Sequence, residues 1–539
     1  MRRAPPTTDL EKTIAAQAAE NAALKAQVQQ LGLVIVALEE ELRLERARRY
    51  APRSEKMKER IFNEAEQAAA EEAQGDDGEA DGTEASAVPD TDLPTGEKPE
   101  PKKRGRKPLP AGIPRTRIEY DLPEDQKSCP CCSHAMHRMG ENLTEQLHIE
   151  IKATVLQNAR FKYACRHCER NGINTPVVIA PMPAQPLPGS VATASTLALV
   201  LASKFVDGMP LYRLSQSLER ANVSISRGTL GNWVINASEL HLERIYAGLK
   251  EKLRGQDLVH GDETWVQVLK EKGRHAQTKS YMWGYRSAAD SQEPIVLFDY
   301  QPGRAKQYPQ AFLAGYNGLL MTDGYDAWRA LEEATHLGCM AHARRKFTDT
   351  IKGRKKPGGP AVEALKFFEA LYEVERLAGQ TLPEGETREQ YTLRLRQQHS
   401  VPVLTAFKEW LDEQAPQVLP KSLTGEAIAY ARNQWEYLIR YASDGRAPID
   451  NNLLERDIRV FVTGRKNWLF SDTTAGAKAS ATIYSLMLTC RACGVDPHDW
   501  LAHVLTQLPQ RGPDADIEDL FPFNFAAKDP VPAETENTT

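Results

Sequence analysis

Three carboxylates in separate apolar settings, and two pairs of close cysteines, are the residues of this 539-residue chain whose types and spacing could do chemistry. Asp262 stands inside the run Leu258-Val259-His260-Gly261-Asp262-Glu263-Thr264-Trp265-Val266-Gln267-Val268. Asp323 follows Gly318-Leu319-Leu320-Met321-Thr322, and Glu455 lies at an amphipathic helix start after Asp450-Asn451-Asn452. Brought together, such groups could hold hard divalent cations. Attack on a phosphodiester needs two of them about 3.5–4 Å apart, one activating the attacking oxygen and one stabilising the leaving oxygen. Mg2+ (or Mn2+) takes oxygen ligands and keeps several waters, so two or three carboxylates suffice. Taken singly, each acid also fits a surface or helix-capping position.

The cysteines form Cys129-Pro130-Cys131-Cys132 and Cys165-Arg166-His167-Cys168. Two C-x-x-C knuckles are the pattern of a four-thiolate zinc site, here Cys129, Cys132, Cys165 and Cys168, with Cys131, His134, His137 or His167 as possible substitutes. Four thiolates leave no open position for water, so this Zn2+ is structural. Alternating stretches at 145–155 and 161–164 predict a hairpin carrying one knuckle to the other. Cys490 and Cys493 share the spacing but lie in a helical pattern without a second pair, and read as structural.

The carboxylates need elements to position them. Residues 258–268, 280–286 and 294–300 predict three strands of an antiparallel meander, and 318–325 a fourth, short strand ending on Asp323. An acid within the first strand, one ending the fourth and one on a later helix is the arrangement of an RNase H-like core. Asp323 and Glu455 are 132 residues apart, more than such a core needs, so helical patterns such as 361–380 and 426–443 read as an insertion. Strand alternation points Glu263 away from Asp262. Asp457, two residues beyond Glu455, faces away on a helix, and Asp326 and Asp450 read as caps or supporting groups.

At the N-terminus, Leu10, Gln17, Leu24, Leu31 and Leu38 repeat at seven, and Ile14, Asn21, Val28, Ile35 and Leu42 form a second repeat. That is an a/d seam with Asn21 at an a position, which predicts a self-associating coiled coil. The alternative is a solitary helix docked on its own chain. The net charge of −5 conceals −12 in residues 64–100, −6 in 512–539 and +13 elsewhere. Residues 64–100 have almost no large apolar side chains and read as a disordered linker. A basic body suggests a nucleic-acid partner. The run Lys102-Lys103-Arg104-Gly105-Arg106-Lys107-Pro108 suits either an arm in a narrow minor groove or a solvated basic tail. Residues 211–221, a polar turn at 222–225 and 226–240 form a helix-turn-helix pattern. Ser226 is its cap, and Arg227, Thr229 and Asn232 stand at the start of the second helix, where base edges are read. Helical hairpins without DNA share this pattern. The N-terminus lacks a secretory core, there is no apolar run of about 18 residues, and eight cysteines are too sparse for a disulfide scaffold.

Four ordered strings carry a resemblance: Asp262-Glu263-Thr264; Thr322-Asp323-Gly324-Tyr325; Asn451-Asn452-Leu453-Leu454-Glu455-Arg456; and Gly464-Arg465-Lys466-Asn467-Trp468-Leu469-Phe470. They resemble the insertion sequence 66 family of bacterial DDE transposases. The resemblance covers most of the chain, taking in Arg53-Ser54-Glu55-Lys56, the paired cysteines, Pro210-Leu211-Tyr212-Arg213 and the helical piece after Phe470. It implies an enzyme that binds the terminal inverted repeats of double-stranded DNA and cuts and joins strands. Asp262, Asp323 and Glu455 would be the catalytic, magnesium-binding acids, in a bacterial, cytoplasmic and nucleoid-associated setting, with small accessory proteins of the same element as possible partners. Cys339-Met340-Ala341-His342 resembles a C-x-x-H motif of several DDE families, although a packed helix start is preferred. Arg344, Arg345 and Lys346 suit phosphate contacts or a plain basic face, and Arg456, Arg465 and Lys466 join the DNA-binding candidates. Val460 departs from the family's usual Pro, and 490–494 is unusually Cys-rich.

The expected layout is a multidomain α/β chain: an N-terminal coiled-coil helix (1–62), acidic linker and basic arm (63–119), zinc-ribbon-like domain (120–175) and helix-turn-helix region (185–255). An RNase H-like catalytic domain (256–470, insertion about 355–445), a C-terminal helical subdomain (471–511) and a disordered acidic tail (512–539) follow. The competing readings are a non-catalytic zinc-containing DNA-binding protein and an RNase H-like structure-specific nuclease.

Overall fold

The computed structural model describes residues 7–50, 115–121, short stretches within 127–146, 153–171, 177–352 and 358–525. The acidic linker at 64–100, the basic arm with Arg104, Arg106 and Lys107, and Cys129 and Cys132 lie outside the described residues. The chain divides into two compact units, residues 73–158 and the remainder. In the smaller unit the backbone N–H of Met136 donates to the Lys127 carbonyl at 2.8 Å.

The larger unit begins with one uninterrupted helix, α1 (Thr7–Tyr50). Its seven-residue repeats, from Ile14 to Leu42, are exposed, while Glu40 and Leu44 on the opposite face are buried. Thr424 Oγ1 donates to Glu40 Oε1 at 3.0 Å. The helix therefore docks on its own chain by one face near its C-terminal end and leaves the apolar seam outward.

Next come β1 (Lys162–Ala164), α2 (Arg166–Arg170) and β2 (Val177–Ile179), with β1 and β2 antiparallel. The partner of β1 lies beyond the second cysteine pair, while most of the stretch 145–155, expected as the other arm of a hairpin, lies outside the described residues. Val177, Val178 and Ile179 are β-branched and favour a strand, whereas residues 153–160 form no regular element.

Helices α3 (Ala194–Phe205), α4 (Leu211–Arg220), α5 (Arg227–Ala237) and α6 (Glu243–Arg254) follow. Ser226 caps α5 by accepting from the Thr229 N–H at 3.0 Å, and Asn222 takes a left-handed φ of 60° in the turn before it. Strands β3 (Leu258–Lys270), β4 (Lys279–Ser287) and β5 (Val296–Gln301) form the antiparallel meander. After α7 (Gln307–Phe312), β6 (Leu319–Thr322) pairs parallel with the start of β3. After α8 (Asp326–Arg329), β7 (Thr335–Gly338) pairs parallel with β6. The strand order is β5-β4-β3-β6-β7. Residues 335–338 are too short and mixed to stand out as a strand by pattern.

The interval before Glu455 is helical: α9 (Met340–Ile351), α10 (Pro360–Ala378), α11 (Arg388–Leu395), α12 (Val401–Gln414), α13 (Leu423–Asn433) and α14 (Trp435–Ile439). All but α11 pack around Phe347, Phe368, Phe407 and Leu411, a core that also takes in Leu258, Met321 and Leu337 of the sheet, while Leu395 of α11 packs with Val374 and Ala378 of α10. Then come α15 (Asn452–Trp468), β8 (Ser471–Thr473), α16 (Thr474–Ala492) and α17 (Pro497–Gln507). Strand β8 pairs parallel with the far end of β3.

Helices α3–α6, α16 and α17, from the stretches expected as regions at 185–255 and 471–511, share one continuous core with the sheet. Cys490 is buried in that core, and Cys493 caps α16. The segment 512–539, read as a disordered acidic tail, is ordered to Phe525. Leu520 and Phe521 are buried, the Trp500 indole donates to the Leu520 carbonyl at 3.0 Å, and Arg511 pairs with Asp519 at 2.6 Å. The acids there hid an apolar group, Leu520, Phe521, Phe523 and Phe525, large enough to pack. Among the described residues no helix is long and apolar enough to cross a membrane.

Candidate active site

The β6 side of β3 is paired at Leu258–His260 only, and β8 pairs with it again from Val268. Between them the strand edge is open, and Asp262 stands in that opening. Asp323 ends β6, where its Oδ1 accepts from the Tyr325 N–H at 2.9 Å. Glu455 is in the first turn of α15. Gly284 faces Asp262 across the β3–β4 ladder, and a Cβ there would meet Leu454 at 3.3 Å and Ile458 at 3.5 Å. Its missing side chain lets α15 settle on the sheet and brings Glu455 within electrostatic reach of Asp262. Burial, followed by the charges of Glu263, Asp323 and Glu455, pushes the Asp262 carboxyl well above the usual carboxylate range.

Glu263 points to the other side, as alternation predicts, into an ion pair with Arg304 and a 3.3 Å hydrogen bond from the Trp328 indole. Burial and the charge of Asp323 nevertheless raise its pKa against the pull of Arg304. The Arg304 guanidinium also stacks 3.9 Å from the Tyr325 ring centroid, tying this pair to the loop that carries Asp323.

A buried amide joins the elements. Asn451 Nδ2 donates to the Gly261 carbonyl at 3.0 Å, its Oδ1 accepts from His260 Nδ1 at 2.8 Å, and its N–H donates to Cys339 Sγ at 3.2 Å. Its carbonyl takes the Glu455 N–H at 3.1 Å. Burial lowers the His260 pKa to about 4, so the ring is neutral, with its proton on Nδ1. Asn451 thus locks β3 beside Asp262, α9 at its start and α15 beside Glu455. Sequence reasoning missed this node; the signal available was His260 on the same alternating face as Asp262.

The Cys339–His342 motif resolves into two roles. Cys339 is buried, as expected of a packed helix start, and burial raises its thiol pKa. His342 instead reaches Glu455, its Nδ1 3.6 Å from Oε1, while Arg345 Nη2 donates to Oε2 at 2.9 Å. Sulfur, imidazole and carboxylate ligand atoms there lie within 4.8 Å of one another. Arg345, a phosphate-contact candidate, is therefore engaged by an acid. Arg344 stacks 4.8 Å from the Tyr372 ring centroid and Lys346 5.7 Å from that of Tyr430. Arg465 lies 4.1 Å from the Trp265 ring centroid. Arg227, Thr229, Asn232 and Lys466 are exposed, and Arg456 is half-buried. Asp450 accepts from the Asn452 N–H at 3.0 Å and from the Tyr372 hydroxyl at 2.6 Å, a capping role. Asp457 does face away from Glu455, but it is buried against Arg286 in an ion pair. Cys165 follows β1 directly, and α2 carries Cys168.

A carboxylate cluster at an open strand edge, with a helical body beside it and basic side chains around it, defines a candidate metal-dependent site in an α/β protein. Residues 189–479 match the model of the Transposase IS66 family, and 485–523 the IS66 C-terminal element. Residues 126–169 match the zinc-finger binding domain of transposase IS66, and 37–118 a domain described as Transposase C of IS166 homeodomain. The chain belongs to the IS66 transposase family. Two proteins of Sinorhizobium fredii (strain NBRC 101917 / NGR234), both called uncharacterized, are similar to it. The protein y4qI is 32% identical over 447 residues, 80% of this chain and 79% of its own; y4jD is 32% identical over 445 residues, 78% and 82% respectively.

Asn451→Ala would leave the Gly261 carbonyl and the His260 N–H buried without partners. At about 1–3 kcal/mol for each unsatisfied group, folding stability should fall by about 2–6 kcal/mol in denaturant unfolding. A loss below about 1 kcal/mol would show that the node holds nothing together.

Proposed function

We propose that the chain is a DDE transposase with an RNase H-like core, which binds the terminal inverted repeats of its element and catalyses metal-dependent strand cleavage and strand transfer. The observation that carries this reading is that Asp262 on a strand lies within electrostatic reach of Asp323 at a strand end and of Glu455 at a helix start. Family membership supports it.

The donor set suits Mg2+ or Mn2+. All three acids offer hard carboxylate oxygens, and Glu455 Oε1 is buried without a hydrogen-bond partner. Asp262, Asp323 and Glu455 would hold the ions. When bound, two such cations activate the attacking oxygen and stabilise the leaving one. The chain's own residues orient the acids. Asn451 fixes the start of α15, Arg345 holds Glu455 Oε2, and the Glu263–Arg304–Tyr325 group braces the Asp323 loop. Exposed Arg227, Thr229, Asn232 and Lys466, with the basic arm, would meet phosphates and base edges. Binding should therefore weaken steeply with salt.

Asp262→Asn, Asp323→Asn and Glu455→Gln should each lower Mg2+-dependent nicking of terminal-repeat DNA by at least about a thousandfold, while repeat binding in a gel-shift assay is kept. Asp326→Asn, at an exposed position, is the control. Asp457→Asn is unsuitable because it strands Arg286. Wild-type nicking by all three amides would end the DDE reading. Cleavage that follows DNA branching and ignores the terminal repeat would favour the nuclease.

The zinc-finger match supports a structural Zn2+ on Cys129, Cys132, Cys165 and Cys168. Metal analysis of reduced, purified protein should find one zinc per chain, and Cys165→Ser should lose it. Zinc retained in that variant would exclude Cys165 as a ligand.

The outward apolar seam of α1 supports self-association. Deleting residues 10–35 spares the docked end around Glu40 and Leu44. It should lower the sedimenting mass to that of a smaller oligomer with the unfolding midpoint unchanged; an unaltered oligomer would assign assembly elsewhere.

A further inference from the structure

The segment Gly464-Arg465-Lys466-Asn467-Trp468-Leu469-Phe470 has no part in the carboxylate cluster, yet it builds an unusual surface beside it. Trp265 lies three residues beyond Asp262, about 10 Å along the strand, where β3 pairs with β4 on one side and its β6–β8 edge is open. It is 40% exposed. Arg465 donates to the Trp265 carbonyl and to Thr264 Oγ1, and its guanidinium lies 4.1 Å from the Trp265 ring centroid. Thr264 and Trp265 alternate to opposite faces, so a group touching both sits at the strand's open edge. The guanidinium is therefore at that edge, with the half-exposed ring beside it. Lys279 Nζ is 5.7 Å from the same ring centroid.

At the end of α15 the Leu469 N–H donates to the Arg465 carbonyl at 2.7 Å, and Leu469 adopts a φ of 67°. With ψ at −50° this is a γ-turn, closed by the Phe470 N–H on the Trp468 carbonyl at 2.9 Å, and a side chain is strained there. Leu469 is instead 62% exposed, so burial does not offset the strain, and Phe470 after it is 42% exposed. Ser471 then pairs with Val268 of β3. The result is an exposed Trp, Leu and Phe at one edge, flanked by Arg465, Lys466 and Lys279. The nearby acid Asp472 is paired with Lys270 at 2.7 Å.

We propose that Trp265, Arg465, Leu469 and Phe470 form a stacking platform for an unpaired nucleobase at a DNA end. This rests on the reading of the chain as a DNA-processing enzyme. A flat aromatic beside fixed cations complements both parts of a nucleotide: the ring takes the base face, and the cations take the phosphate. A base stacked inside a duplex cannot reach Trp265, so the platform selects a frayed, flipped or single-stranded nucleotide next to the phosphate at the carboxylates. Leu469 and Phe470 act as the wedge that keeps it unstacked.

The test uses the full chain in EDTA, which removes any Mg2+-dependent cutting. The probes are a 20-base-pair duplex with a five-nucleotide single-stranded tail, 2-aminopurine at its first unpaired position, and the blunt duplex of the same sequence. Wild type should quench the 2-aminopurine and prefer the tailed probe. Trp265→Ala should lose about tenfold in affinity for the tailed probe alone, Trp265→Phe should restore most of it, and Leu469→Gly should weaken tail binding while raising the unfolding midpoint. An unchanged tailed-to-blunt ratio in Trp265→Ala, or unaltered fluorescence at saturation, overturns the proposal. So does a changed sedimenting mass in Trp265→Ala with tail binding intact, which would make this edge a contact between protein chains. A chain that prefers the tail but never nicks repeat DNA in Mg2+ sinks the cleavage reading and leaves the platform standing. A chain that nicks while Trp265→Ala binds like wild type does the reverse.

Discussion

The site depends on one buried amide. Asn451 uses its side-chain oxygen, its side-chain NH2 and both backbone polar groups to join β3, α9 and α15. These elements are distant in sequence, with α15 more than a hundred residues from either of the others, and each carries a group that meets at Glu455 or Asp262. A hydrogen bond between groups removed from water gains little net stability when satisfied and is expensive to lose. Such a node therefore contributes less to overall stability than to the uniqueness of one arrangement. Carboxylates that must converge closely benefit most from that kind of constraint.

Their convergence is electrostatically unfavourable by itself. Burial and mutual repulsion raise Asp262 and Glu263 together. The fold offsets this with cations placed at the rim: Arg304 on Glu263 and Arg345 on Glu455. The unpartnered Glu455 Oε1 remains. On the proposed reading, a divalent ion held there would remove the repulsion and the unmet hydrogen bonding together.

The long helical interval between Asp323 and Glu455 is more than a spacer. Its core includes sheet residues Leu258, Met321 and Leu337, so α9 is held by the strands and by the helical body at once. The same helix supplies His342 and Arg345 to Glu455, and α1 lies against it and α13. One face of α1 thus touches the body beside the site, while its a/d seam faces outward.

Much of this was legible from pattern alone. Heptad spacing marked α1, alternation marked the meander of β3, β4 and β5, Ser226 announced its own cap, and ordered strings around Asp262, Asp323 and Glu455 pointed to the family. These signals are local: each depends on residues within one or two turns or strands. Tertiary structure decided the rest. Short β7 and β8 exist because β6 and β3 offer them edges, and β1 took a partner from beyond the second knuckle. Leu520 and Phe521 order an acidic stretch because Trp500 and the α3–α17 core receive them. Arg345 found Glu455, Asp457 found Arg286, and Asn451 found three elements. Which polar groups become neighbours depends on contacts between distant segments in the folded chain, and no spacing along one segment encodes them.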